Sequence, residues 1–146
     1  MVQYELTRIT IARIRKPQHE DVNSELQWLS QSLGLFGDRD KEKSCFRIFV
    51  ELIKAARKNK GLTSDELAAR SNITRATVIH HLKKLIASGL VLVEGNYYYL
   101  RVHNLQALID EVQKDLNHTF EDLRIMAKEL DEQLGLLQKK EHTLSD

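Results

Sequence analysis

Four short elements follow one another without a linker across residues 61–102, GLTSDELAARSNITRATVIHHLKKLIASGLVLVEGNYYYLRV, and that succession leaves few folds open. Thr63 is placed to cap a helix, and Glu66 three residues on can reach back to the cap's own N–H to complete a capping box. Leu67 and Ala68 give this helix an apolar face, and small Ala69 leaves room for a neighbouring helix. Ser71-Asn72 then breaks the pattern and Ile73 returns a buried contact, so a tight turn leads to the next helix. Thr74 caps that second helix, over 74–88. Its apolar residues Val78, Leu82 and Leu85, flanked by Ile79 and Ile86, recur at the four-then-three spacing of one face, which marks them as core. Opposite them Ala76, Thr77, His80 and Lys84 lie on an exposed arc, with His81 at its edge and Thr74 and Arg75 projecting from the N-terminal end. Ser88-Gly89-Leu90 stops the helix, Leu90–Val93 reads as a strand, Glu94-Gly95-Asn96 as a turn and Tyr97–Leu100 as the return strand. The sum is a winged helix-turn-helix: mainly α, with a small β-hairpin wing.

Ahead of this unit, Cys45, Phe46, Phe49, Leu52, Ile53 and Ala56 recur at helical spacing and predict a helix over 39–57, ended by Lys58-Asn59-Lys60-Gly61. A further helix is expected over 21–33, with Val22, Leu26, Leu29 and Leu33 on one face, Trp28 beside them and Gly34 as its stop. The apolar connector Leu35-Phe36-Gly37 follows it. Residues 2–16 alternate weakly up to Pro17 and fit a β-strand or an extended arm better than a helix. Arg8, Arg13, Arg15 and Lys16 make that segment basic, which suits an arm lying along phosphates or in a minor groove, or equally an edge strand kept soluble by its charges.

Behind the unit, Val102, Ile109, Leu116, Leu123, Leu130 and Leu137 recur every seven residues, with Leu105, Val112 and Met126 in a second row that Thr119 and Gln133 weaken. This is a coiled-coil pattern. From Asn104, a plausible N-cap, to Lys140 the helix would run about 55 Å, too long for a core of this size to cover, so a homodimer through it is expected. The expected organisation is therefore an arm or strand over 1–17, an extra helix and connector over 18–38, the winged helix-turn-helix over 39–102 and a dimerisation helix over 103–146.

The formal net charge of +1 hides an uneven distribution: 1–17 carry +3, 18–60 +1, 61–102 +2 and 103–146 −5. The basic part is the one suited to phosphate. No run approaches the roughly 18 apolar residues of a membrane span, and Met1–Pro17 lacks the layout of a secretory signal, so a cytoplasmic protein without membrane attachment is expected. The single cysteine, Cys45, lies in an apolar run and reads as a buried structural thiol. Glycine-rich phosphate loop, nucleophile elbow, HExxH and paired carboxylates in a cleft are all missing, so no enzyme is expected, and no cofactor. His118 and Glu121 share a helix face, with His103 and Asp110 further back, which falls short of a tetrahedral metal set. Adjacent His80 and His81 diverge by about 100° on a helix and do not converge on one atom.

The run TRATVIHHLKKLIASGLV, passing from a capped helix into a hairpin, resembles the ArsR and MarR-like superfamilies of prokaryotic transcription regulators. The resemblance implies a dimer whose second helix enters the major groove of double-stranded DNA. It places Arg75, Thr77, His80 and His81 toward base edges, and Thr74 and Lys84 toward phosphates. Three departures stand out. The cysteine pair of the metal-sensing members is replaced by Asp65-Glu66-Leu67-Ala68-Ala69, Ile79 stands where many recognition helices carry serine, and the wing tip Glu94-Gly95-Asn96 stands where many carry arginine or lysine. Fewer wing contacts shift the phosphate load to Arg101, the recognition helix and the N-terminal arm. The competing reading is a winged-helix module that dimerises in the same way but binds protein.

Overall fold

The computed structural model describes residues 7–18, 21–37 and 43–137, which fall into two compact units, one ending at Val112 and the other beginning at Gln113. In the first unit α1 (Val22–Ser32) begins at Asp21, whose carboxylate accepts hydrogen bonds from the Ser24 amide at 2.8 Å and the Ser24 hydroxyl at 2.9 Å. These bonds, the amide first, hold the Asp21 carboxyl below its ordinary pKa. The helix ends as expected at Gly34, with φ 73° and with Gly34 N–H donating to Gln31 and Leu35 N–H to Ser30, the two bonds of a Schellman stop. Its apolar face is shorter than its sequence predicts: Leu33 is buried but Val22 is 79% exposed, because the helix packs through its second half.

Residues 7–18 form no strand; residues 2–6 of the predicted segment lie outside the described residues. The segment is tied down by single bonds, from Arg8 N–H to Ala87 O, Ala12 N–H to Ser32 O and the Trp28 indole N–H to Ile14 O, each 2.8–2.9 Å. Thr10 lies so close to Gly34 that a Cβ there would come within 2.6 Å of it.

The centre of the unit is α2 (Ser44–Ala56), which packs against the helices and the wing that follow. Residues 39–42 of the predicted helix lie outside the described residues. Cys45, Phe49 and Leu52 are buried as expected, but so are Ile48 and Ala55, while Ile53 and Ala56 are only half-buried. A helix enclosed by several neighbours buries a broad face, which a single-stripe pattern understates.

The capping box is formed before α3 (Ser64–Ser71): Glu66 N–H donates to Thr63 Oγ1 at 3.1 Å and Thr63 N–H to Glu66 Oε1 at 2.9 Å. Ala69 is exposed and makes no close helix approach, correcting its expected role; Leu67, fully buried, supplies the contact. Asn72, in left-handed geometry at φ 54°, turns the chain into α4 (Arg75–Ala87), which ends in a second Schellman stop at Gly89.

The wing is β1 (Val91–Glu94) paired antiparallel with β2 (Tyr97–Leu100), in the register Val91 opposite Leu100 and Glu94 opposite Tyr97. The loop is therefore Gly95-Asn96, with Gly95 at φ 61° as a two-residue hairpin needs, and Glu94 belongs to the strand. Leu62 adds an isolated antiparallel bridge that the sequence did not announce, exchanging both backbone bonds with Tyr98 at 3.0 and 2.8 Å. Gly61 beside it is required by space, since a Cβ would lie 2.6 Å from the Tyr99 ring.

The long helix α5 runs over Leu105–Leu134, with Asn104 Oδ1 accepting from Ala107 N–H at 2.8 Å as the expected cap. Within the first unit Leu108 and Val112 are buried. In the second unit the helix stops at Gly135, at φ 71°, where Gly135 N–H donates to Glu132 and Leu136 N–H to Asp131. The expected continuation to Lys140 is corrected: Leu137 lies beyond the helix, and residues 138–140 lie outside the described residues. The surface pattern also shifts. Phe120, Leu123, Leu130 and Leu134 are 45–67% exposed and, with Leu116 and Ala127, follow a four-then-three spacing that omits both Thr119 and Gln133. No helix among the described residues is long and apolar enough to cross a membrane.

Candidate nucleic-acid interface

The geometry of α4 follows from its core side. Val78, Leu82 and Leu85 are at most 1% exposed, which fixes the rotation of the helix and turns Ala76, His80, Lys83 and Lys84 outward, while Arg75, in register with the stripe, is exposed because it opens the helix. The helix carries Arg75, Lys83 and Lys84 and no acidic residue. Lys83 was missed by the sequence assignment, although at 100° per residue it lies as far from the core stripe as Lys84 does.

Each expected contact has a definite place. Thr74 is the N-cap: its Oγ1 accepts from Thr77 N–H at 3.2 Å and lies 2.9 Å from Thr77 Oγ1, so both hydroxyls sit together at the start of the helix. Thr77 and His81 are half-buried, whereas His80 is exposed. The rings of His80 and His81 nevertheless meet edge to face, with centroids 5.3 Å apart, closer than their divergence on the helix suggests. With Lys84 they border a cleft of about 360 Å³ whose far wall is the start of α2 at Ser44 and Cys45. No three His, Cys, Asp or Glu side chains among the described residues form a group fit to hold a metal ion.

Arg75 sits at the junction of the two helices. Its Nε lies 3.3 Å from Ser64 Oγ and 3.4 Å from Asp65 Oδ1, and its side chain is 68% exposed. Beside it opens a second cleft, of about 260 Å³, bounded by the start of α3, Ile79 and the wing tip Gly95-Asn96.

Arg101 is placed differently from the rest. One terminal nitrogen donates to Gly89 O at 3.2 Å and another reaches Glu111 Oε1 at 3.3 Å, with the side chain only 23% exposed. It ties the end of α4 to the start of α5 within the first unit and does not stand out from the wing. The wing instead exposes apolar side chains, Leu92, Val93 and Tyr97 each being about half exposed.

No curated protein matches the chain. Residues 50–91 match the family model of winged helix-turn-helix DNA-binding domains, a stretch reaching from within α2 to the first residue of β1. Together with the hairpin that follows it, the matched segment is a winged helix-turn-helix domain of the DNA-binding kind.

Proposed function

We propose that the chain is a homodimeric, sequence-specific transcription regulator of the ArsR or MarR-like kind that lays α4 in the major groove. The observation that carries this is the exposed surface of α4: His80, Lys83 and Lys84 opposite the buried stripe, with Thr77 and His81 at its edge and Thr74 and Arg75 at its N-terminal end, on a helix without an acid. Arg75, Thr77, His80 and His81 face base edges, and Thr74, Lys83 and Lys84 meet phosphates. Arg101 is left out of the contact set because its guanidinium is engaged within the fold. The homodimer is supported by the exposed apolar stripe of α5, a surface that an isolated helix leaves in water. Two copies would present two recognition helices to a two-fold site.

A second reading, a protein-binding winged helix, is favoured by the wing alone, whose tip lacks a cation and whose strands expose Leu92, Val93 and Tyr97. Anisotropy titration of a random duplex at two salt concentrations separates the two. A groove binder loses affinity steeply with salt through counterion release. Salt-independent or undetectable binding would leave the protein-binding account standing.

A further inference from the structure

We infer that Asp65 is a positioning residue for Arg75, and that the pair decides which base the start of α4 selects; the inference rests on the proposed role of Arg75 at a base edge. Asp65 lies in the first turn of α3 and Arg75 opens α4, so the tight turn between the helices brings together two residues far apart along the chain. Both contacts made by the arginine go to Nε, whose N–H donates to Ser64 Oγ at 3.3 Å and which pairs by charge with Asp65 Oδ1 at 3.4 Å. None of the described residues takes its two terminal nitrogens. A guanidinium held by Nε–H presents its remaining donors as a fork, the geometry that pairs with two acceptors on a guanine edge. Arg75 itself lines the cleft that reaches to the wing tip at Gly95-Asn96.

The alternative role for Asp65, support of the fold, is poorly served by its position. Its side chain is 80% exposed and its partner's 68%, where an ion pair contributes little to stability. A carboxylate at the edge of a cationic helix also repels phosphate, so it weakens sequence-independent binding. Steering the arginine accounts for an acid in that place. It also separates two quantities that a structural residue would move together, since loss of Asp65 should raise affinity for arbitrary DNA while blunting discrimination.

The test uses the full chain and a duplex selected by it from a randomised pool, with every base pair then substituted in turn. Arg75→Ala should abolish preference at one base pair. Asp65→Ala should reduce preference at that same base pair by about threefold and strengthen binding to random duplex on the order of threefold. Asp65→Asn, which removes the charge of the ion pair while Ser64 Oγ still accepts from Nε–H, should gain the same random-duplex affinity and lose the preference to the same extent as Asp65→Ala. The inference is overturned if Asp65→Ala leaves the preference intact while Arg75→Ala removes it, a result that spares the base-reading role of Arg75. It is overturned together with that role if Arg75→Ala leaves every base preference unchanged. Equal loss on selected and random duplexes in Asp65→Ala, with a lowered melting temperature, would assign Asp65 to the fold.

Discussion

In α4 every strongly apolar residue of the central stripe is buried and the outward face is cationic, whereas in α5 beyond Leu116 the stripe Phe120, Leu123, Leu130 and Leu134 faces water amid acidic neighbours. Both helices are amphipathic, so amphipathicity alone does not tell core from interface. The sign of the polar face and the fate of the apolar one do. A helix whose apolar side is filled by its own domain has only its polar side left to offer, and on α4 that side suits phosphate and base edges. A helix with its apolar side open offers that side instead.

This contrast sets the largest expected effect. Leu82→Ala, in the stripe of α4, should destabilise the domain by about 2–5 kcal/mol in a denaturant melt. Leu123→Glu, on α5, should leave the melt of the DNA-binding domain nearly unchanged and instead raise the dimer dissociation constant by about 100-fold or more, read by light scattering across concentrations. A Leu123→Glu protein that remains a tight dimer would place the interface elsewhere.

Next in size is the capping of α4. Thr74→Ala removes the acceptor for Thr77 N–H and should cost about 1 kcal/mol of stability. Because Thr74 and Thr77 share a hydrogen bond at the proposed contact face, DNA affinity should fall by more than the melt alone explains. An equal change in both would make Thr74 a cap only.

Charge on the two helices can then be compared directly. Lys84→Ala should lower the slope of log affinity against log salt by about one, and Lys128→Ala on α5 should leave it unchanged. Equal slopes for the two variants would remove the distinction between a phosphate-facing and a partner-facing helix.

The smallest effect is acid dependence at the capping box. The Thr63 N–H bond, ahead of other causes, holds the Glu66 carboxyl below its ordinary pKa. Its contribution to stability is therefore complete above the ordinary carboxylate pKa and lost as pH falls through the lowered folded value. Glu66→Gln should remove a small part of the loss of melting temperature between neutral pH and about pH 3, and an unchanged acid slope would show the bond to be energetically silent.

What could be read from sequence was what chemistry decides locally. The capping box at Thr63 and Glu66, the α4 stripe and the glycine stops at Gly34 and Gly89 each depend on residues within a turn or two of one another. The missed features join residues distant in the chain. Leu62 pairs with Tyr98, Arg101 is taken by Gly89 O and Glu111, and Ser64 and Asp65 hold Arg75. No periodicity announces such partners, and Arg101 looked available only because Glu111 lies on another element. Ile48 was omitted because a helix surrounded on several sides has no single face. The end of α5 was misplaced for a different reason: the seven-residue row reaches Leu137 in sequence, but Gly135 supplies a left-handed stop that ends the helix before it.

The most direct test of the central claim, that the cationic face of α4 reads DNA, is the affinity of the Arg75→Ala/Lys84→Ala double variant for the selected duplex, measured by anisotropy beside a thermal melt. The account predicts a loss on the order of 10- to 100-fold with the melt essentially unchanged, since both side chains are exposed and outside the buried set Val78, Leu82 and Leu85. Full affinity and intact site preference in the folded double variant would contradict it and move recognition off this helix.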